Sequence, residues 1–195
     1  MKIIVAVTGA SGSIYGRQVV EGLLASHSVE SIGLIVSRRG AEVAAWEGVE
    51  LPWGATPPEG AEPAGADPRV ERFDNDDMFA SVASGSASWD AMVVVPCSMG
   101  CVGRIAAGVS SDLIARAADV MLKEGRPLMV VPREAPLNLI HLRNLTTLAE
   151  AGAIVLPASP SFYSRPTTLD DVCSTVTDRI LARLGIVAPR YEWGK

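Results

Sequence analysis

The opening of the chain, residues 2–16, constrains the fold more than any other stretch. Residues 3–7 are a continuous apolar run without polar alternation, which is typical of a strand covered on both faces in a parallel sheet. Residues 8–12 form a small, glycine-bearing turn, and a helical pattern starts directly after it. This order of strand, tight turn and helix predicts the first unit of an α/β fold.

The turn also predicts a ligand. Small residues let a ligand approach the backbone, and the new helix directs free N–H groups and its positive dipole end at an anion, most often a phosphate. Gly9, Gly12 and Gly16 do not have the spacing of the dinucleotide fingerprint. A tight strand-to-helix turn without a ligand is the alternative.

Strand and helix patterns alternate along the rest of the chain. Further strands are predicted over residues 31–37, 91–96, 127–131 and 153–156, and further helices over 38–46, 76–84, 111–124, 136–151 and 169–184. We therefore predict one domain over 1–195, a doubly wound parallel sheet in a Rossmann-like or flavodoxin-like three-layer sandwich. Residues 48–72 are predicted to be a long loop within the domain, and residues 187–195 a tail.

Composition narrows the function. The net charge of −5 argues against nucleic acid as the main partner. No stretch approaches the ~20 apolar residues of a membrane helix, and the start carries no secretory signal, so we expect a cytoplasmic protein without a membrane partner. The cysteines give neither a disulfide framework nor a second pair of zinc ligands, and the two histidines are too scattered for a site, so no metal is expected.

Ligands of such sheets bind beyond the carboxyl ends of the strands. That rule brings four turns to one edge, namely residues 8–12, Ser37, residues 96–101 and residues 132–136. Their polar side chains are therefore candidates by position.

The last of these turns carries Arg133 and Glu134 between two prolines. Arginine suits phosphate because its planar fork donates paired hydrogen bonds, and a glutamate beside it can act as a general acid or base. Arg116 and Lys123, seven positions apart, share one face of a predicted helix and could add positive charge. The alternatives are a surface ion pair for Arg133 and Glu134 and a solvated helix face for Arg116 and Lys123.

Aromatic residues give weaker indications. Tyr163 follows the last strand, where its phenol could donate to a phosphate oxygen or simply reach water. Trp46, Trp53 and Trp89 are predicted to pack in the interior, whereas Trp193 lies in the polar tail. Considered alone, Arg179 is predicted to be a surface residue of the last helix.

Together these motifs resemble the flavin prenyltransferase (UbiX-type) family of FMN-binding flavoproteins. The matching residues follow the family order and are 8–12, 15–16, 84–86, 96–98, 116–120, 122–124, 126–128, 132–137, 162–163 and 165–166. Only residues 48–75 and the extreme tail are left unmatched.

The resemblance implies a homo-oligomer, a dodecamer in the family, with FMN held between subunits. It implies metal-independent transfer of a dimethylallyl group from dimethylallyl phosphate to N5 and C6 of reduced FMN. The product, prenylated FMN, would then serve a separate UbiD-type decarboxylase. The identity of that decarboxylase and its substrate, and the choice between a monophosphate and a diphosphate donor, do not follow from the sequence.

The resemblance also implies roles for individual residues. Ser11, Glu47 and Glu134 are the expected catalytic residues, with Ser11 and Glu47 moving protons. The expected FMN contacts are Gly9, Ala10, Ser11, Ser37, Ser98, Met99, Gly100, Cys101, Arg116 and Arg133. The expected dimethylallyl phosphate contacts are Lys123, Arg133, Glu134, Tyr163 and Arg179.

The sequence departs from the family pattern at two places. Family members often carry a tryptophan shortly before the segment 84–86, where this chain has Asp77, Met78 and Phe79. Trp193 matches the closing tryptophan of the family only if one residue is skipped. Two other functions stay open at this point: an FMN-binding accessory subunit, and a flavin-dependent decarboxylase of peptidyl or pantothenoyl cysteine.

Overall fold

In a computed structural model that describes residues 1–51 and 67–187, the chain forms a parallel sheet with helices on both faces. The strands are β1 (Lys2–Val7), β2 (Ser31–Val36), β3 (Val70–Phe73), β4 (Ala91–Cys97), β5 (Leu128–Pro132) and β6 (Ile154–Val155). The helices are α1 (Ser13–Leu24), α2 (Arg38–Trp46), α3 (Met99–Ala106), α4 (Leu113–Lys123), α5 (Leu139–Glu150) and α6 (Leu169–Arg183).

The strand order confirms the predicted fold class. The six strands lie in the order β3-β2-β1-β4-β5-β6, and every pair is parallel. This is the Rossmann order, and it differs from the order of flavodoxin. The direction of winding reverses between β1 and β4, so a ligand crevice is expected beyond the carboxyl ends of these two strands.

The apolar strand runs are buried because helices cover both faces of the sheet. One core cluster joins alternate residues of β1 and β4, such as Ile4 and Val94, to α3 and α4. The other joins the opposite faces, such as Val5 and Val93, to α1 and α6. The continuous apolar runs of the central strands thus reflect burial on two sides.

Three predicted segments are wrong in part. The segment predicted as a loop over 48–72 ends in β3, a short edge strand. Only a 3-10 turn, Ser81–Ala83, forms where a helix was predicted over 76–84. The small residues after β4 form α3, which was not predicted, and α5 begins three residues later than expected.

The tryptophans divide between core and surface. Trp89 is buried against Phe73, with ring centroids 6.1 Å apart, as predicted. Trp46 was predicted to pack but is 91% exposed at the end of α2. Trp53, Trp193, most of the loop 48–72 and most of the tail 187–195 lie outside the described residues.

No helix in the described ranges is both long and apolar enough to cross a membrane.

Candidate active site

The carboxyl edge of β1 and β4 is held together by Thr8. Its buried hydroxyl donates to the Pro96 carbonyl at 2.8 Å and accepts from the Ser98 amide at 2.8 Å. The turn after β1 and the turn after β4 are therefore locked side by side. Ser37 joins them from β2, because its amide donates to the Val7 carbonyl at 3.0 Å.

Glu47 occupies the amino end of α1. Its carboxylate oxygens accept from the amides of Gly12 and Ser13, each at 2.8 Å. The predicted anion at this helix end is thus a side chain of the protein itself. Gly12 makes the turn possible because its φ of 108° lies in the left-handed region.

Hydrogen bonding sets the charge of Glu47. Burial acts to raise the pKa of this carboxyl, but hydrogen bonds from the Ser11 hydroxyl and from the amides of Gly12 and Ser13 outweigh it, so the pKa lies below its ordinary value. The side chain is therefore ionised at neutral pH and able to accept a proton.

Two other helix ends at this edge can hold an external anion. Ser37 caps α2 by accepting from the Gly40 amide at 3.0 Å, and Ser98 caps α3 by accepting from the Cys101 amide at 3.3 Å. Among the described residues, the first amides of both helices, at positions 38–39 and 99–100, have no hydrogen-bond partner. Free amides at helix ends suit a phosphate group, so this edge fits a phosphorylated ligand such as FMN.

The turn after β1 lies in close contact with α2. A Cβ atom at Gly9 would lie 2.6 Å from the Cβ of Arg39, which no real structure tolerates without a shift. Glycine is therefore required here to seat α2 against the turn. The Arg39 side chain is 76% exposed and pairs with Glu42.

Arg133 connects the loop after β5 to the turn after β1. Its Nε donates to the Ser11 carbonyl at 3.0 Å. Glu134 follows in an exposed position and accepts from the Ala135 amide at 3.1 Å. The structure therefore brings a guanidinium and a carboxylate to the same edge as Ser11 and Glu47. Tyr163 lies in the exposed segment that follows β6.

Lys123 does not join this group within one chain. It ends α4, five residues before β5 begins, so it lies toward the amino edge of the sheet, where it pairs with Glu124. The seven residues of β4 indicate that the two edges are about 20 Å apart.

Within one chain, Arg116 and Arg179 also do not contact the group at the carboxyl edge of the sheet. Arg116 lies one turn into α4, where it donates to the Ala83 carbonyl at 3.1 Å and pairs with Asp119 at 2.8 Å. Arg179 is exposed ten residues into α6, which runs alongside α1 and away from the carboxyl edge.

At the carboxyl edge of the sheet, the segment 98–101 exposes its backbone more than its side chains. Gly100 is exposed, but Met99 and Cys101 are buried. Cys97 and Cys101 both belong to a buried core cluster, and a hydrogen bond with Cys101 together with burial raises the pKa of the Cys97 thiol. The Cys101 thiol is buried, so the structure does not show it in a position to contact a ligand.

Three further residues, Thr8, Ser13 and Tyr15, belong to or follow the opening turn, and no individual role was predicted for them. Ser13 and Tyr15 are buried directly behind it. Their place in the first turn of a helix that follows a glycine turn was the available signal.

Comparison with known proteins agrees with this geometry. The model of the Flavoprotein family matches residues 1–181. A flavin prenyltransferase UbiX of Synechocystis is 43% identical, and the match covers 98% of this chain and 95% of the relative. The solved structure of a dodecameric FMN-dependent UbiX-like decarboxylase from Escherichia coli O157:H7 is 37% identical, with a TM-score of 0.85 over 98% of this chain and 100% of that chain. AnUbiX (PadA1), solved in complex with FMN and dimethylallyl pyrophosphate, is 35% identical, with a TM-score of 0.82 over 98% of both chains.

Proposed function

The chain belongs to the flavoprotein family and, within it, to the UbiX-type flavin prenyltransferases, and from this premise we propose how its residues carry out the reaction. The enzyme joins a dimethylallyl group to FMN. The flavin binds across the turns 9–11, Ser37 and 98–101, with its phosphate at the free amides of α2 and α3. When reduced, the flavin would supply the electron-rich atoms N5 and C6, which would each form a bond to a different end of the allyl unit of the dimethylallyl group.

The contact between Arg133 and the Ser11 carbonyl carries this proposal. Because the Arg133 guanidinium lies beside the turn at residues 8–12, it supports a site in which flavin and the donor phosphate meet at one edge of the sheet. Breaking the allylic carbon–oxygen bond leaves negative charge on the phosphate, which Arg133 stabilises. Ser11 and the ionised Glu47 take up protons released at the flavin, and Glu134 supplies a second carboxylate on the donor side.

We propose that a second copy of the chain supplies the remaining cations. Lys123 and Arg179 lie toward the other edge of their own sheet and cannot reach Arg133 in the same chain. In a homo-oligomer, a dodecamer by analogy with the similar solved structure, the exposed Lys123 of one copy completes the phosphate site of its neighbour. Met78 and Phe79, both exposed beside α4, provide apolar surface for the prenyl tail.

The proposed recipient of prenylated FMN is a UbiD-type decarboxylase, and the proposed compartment is the cytoplasm. The three cysteines are free and buried, as expected where thiols stay reduced. The single domain over 1–195 remains our proposal for the whole chain.

The activity is tested directly under anaerobic conditions. The protein is mixed with reduced FMN and either dimethylallyl phosphate or the diphosphate, and the extracted flavin is analysed by mass spectrometry. A gain of one C5H8 unit with either donor is the expected result, and the better donor identifies the phosphate that the site accepts. Unmodified flavin with both donors would contradict the proposal.

The division of the site between copies is tested with two variants. Lys123→Ala and Arg133→Ala should each reduce prenylation by about a hundredfold, because each removes a cation from the leaving phosphate. Lys2→Ala is the matched control and should retain full activity.

Co-expression of the two variants should restore about a quarter of the wild-type rate, since about a quarter of the mixed sites then contain both intact residues. If the mixture stays inactive although both chains assemble together, the site is not divided between two copies in this way.

A further inference from the structure

Ser13 has a buried hydroxyl that the fold itself does not use. The residue is fully buried at the first position of α1, and its Oγ has no hydrogen-bond partner in the described part of the chain. Burying a hydroxyl without a hydrogen-bond partner destabilises the folded state. Such a group is expected to find a partner in its immediate surroundings.

The nearest candidate is the Glu47 carboxylate. The Ser13 amide already donates to Glu47 Oε2 at 2.8 Å, so the side chain of the same residue lies beside that oxygen. Serine has three staggered rotamers about its Cα–Cβ bond, so its hydroxyl can turn toward the carboxylate without any backbone movement. The direction of its electrostatic effect agrees, because the Ser13 side chain is among the groups that lower the pKa of Glu47.

We propose that Ser13 is a positioning residue for Glu47: its buried hydroxyl adds a donor to the two amide donors and keeps the carboxylate ionised and aligned to receive a proton. This inference rests on the proposed proton-transfer role of Glu47. Ser13, which lies behind the turn and does not contact flavin in the proposed site, would then control proton transfer by Glu47.

The other charged groups near Glu47 do not replace this effect. From β5, Arg133 is engaged with the Ser11 carbonyl, and on α2 itself Arg39 and Glu42 form an exposed pair. Tyr15, the titratable group beneath the turn on α1, has a pKa of about 12 and stays neutral where carboxyls titrate. Hydrogen-bond donors, rather than neighbouring charges, therefore set the titration of Glu47.

The test measures the titration of Glu47 in FMN-free protein. Protein labelled with ¹³C-glutamate is titrated by difference infrared spectroscopy of the carboxyl band, and the difference from Glu47→Gln isolates the contribution of Glu47 from those of all the other glutamates. Ser13→Ala should raise the titration midpoint by about one pH unit, since a hydrogen bond to a charged group is lost. Ser28→Ala, which removes an exposed serine hydroxyl beyond the far end of α1, should leave it unchanged.

Ser13→Cys separates hydrogen bonding from packing. The thiol fills the space of the hydroxyl but is a weak donor, so its midpoint should resemble that of Ser13→Ala. A wild-type midpoint in either Ser13 variant, with circular dichroism and oligomer size unchanged, would overturn the inference.

The pH dependence of prenylation gives the second measurement. In Ser13→Ala the acid limb of the pH–rate profile should move upward by the same amount, while the rate at higher pH is retained. If Glu47 has no proton-transfer role, the infrared shift persists but the acid limb stays in place. Failure of the proposed function and failure of this inference are thereby told apart.

Discussion

Tyr15 shows at the scale of one residue how the site is supported from behind. Its ring lies directly beneath Gly12, where a Cβ atom would be only 2.8 Å from it. Its hydroxyl pairs with the thiol of Cys173 on α6, and burial followed by this pairing raises the pKa of Tyr15 to about 12. The turn at residues 8–12, where we propose that flavin binds, thus rests on an aromatic ring that stays neutral at physiological pH.

This pKa has a consequence for stability at alkaline pH. The folded state holds the phenol protonated above its ordinary value of 10.0, so the contribution of Tyr15 to stability is complete below pH 10.0 and is lost as the pH rises toward about 12. The thermal midpoint of the wild type should therefore fall more steeply over this range than that of Tyr15→Phe. Thermal midpoints that fall equally steeply for the wild type and Tyr15→Phe would contradict the assignment.

At the scale of elements, the predictions succeeded where burial imposes a pattern. β1, β2, β4 and β5 are continuous apolar runs, and these were predicted because both of their faces are covered. β3 was missed because an edge strand of four residues, two of them charged, has no such run. α3 was missed because Gly100 and Gly103 weaken its helical pattern, and its stability comes from packing against α5.

In the candidate site, too, some features could be predicted from the sequence and others depend on packing. Residues at strand ends could be placed at one edge because parallel topology requires it, and Ser11, Ser37, Ser98 and Arg133 are found there. The orientation of Glu47 toward α1 could not be predicted, since it depends on how α2 ends against the turn. The position of Lys123 toward the opposite edge could be predicted by the same rule, because the predicted helix 111–124 ends just before a parallel strand begins.

Thr8 provides the test at this scale, because it joins two elements by a single hydroxyl. Thr8→Val keeps the shape but leaves the Pro96 carbonyl and the Ser98 amide without this partner, which should lower the free energy of unfolding by about 2–4 kcal/mol. The turns that we propose to hold FMN would also separate, so the Kd for FMN should rise by about tenfold or more.

Urea unfolding and fluorescence titration with FMN measure the two effects, and Thr8→Ser, which retains the hydroxyl, should restore most of both. Wild-type affinity in a destabilised Thr8→Val protein would show that the link between β1 and β4 supports the fold but not the site.

At the scale of the whole molecule, α5 packs one face against α3, and its other face is left uncovered by the described residues of its own chain. Of its twelve residues only Leu148 is buried, whereas Leu139, Ile140 and Leu142 are 59%, 67% and 48% exposed. Exposed apolar side chains in such a contiguous group mark a surface that is covered by another protein. The helix follows directly after the loop of Arg133 and Glu134, so whatever covers it also borders the site.

A charge placed on α5 should therefore disrupt both assembly and catalysis. We expect Ile140→Glu to convert the oligomer into smaller species in size-exclusion chromatography with light scattering, because the buried carboxylate would have no partner. Prenylation should fall with the proposed oligomer, since in the division of the site that we propose a dissociated chain would lack the Lys123 of its neighbour, while far-UV circular dichroism stays that of the wild type. Leu169→Glu is the control, because it places the same charge at the exposed first position of α6, where an acidic residue suits the helix dipole. Full activity in a dissociated Ile140→Glu protein would show that one chain holds a complete site and that Lys123 has no part in it.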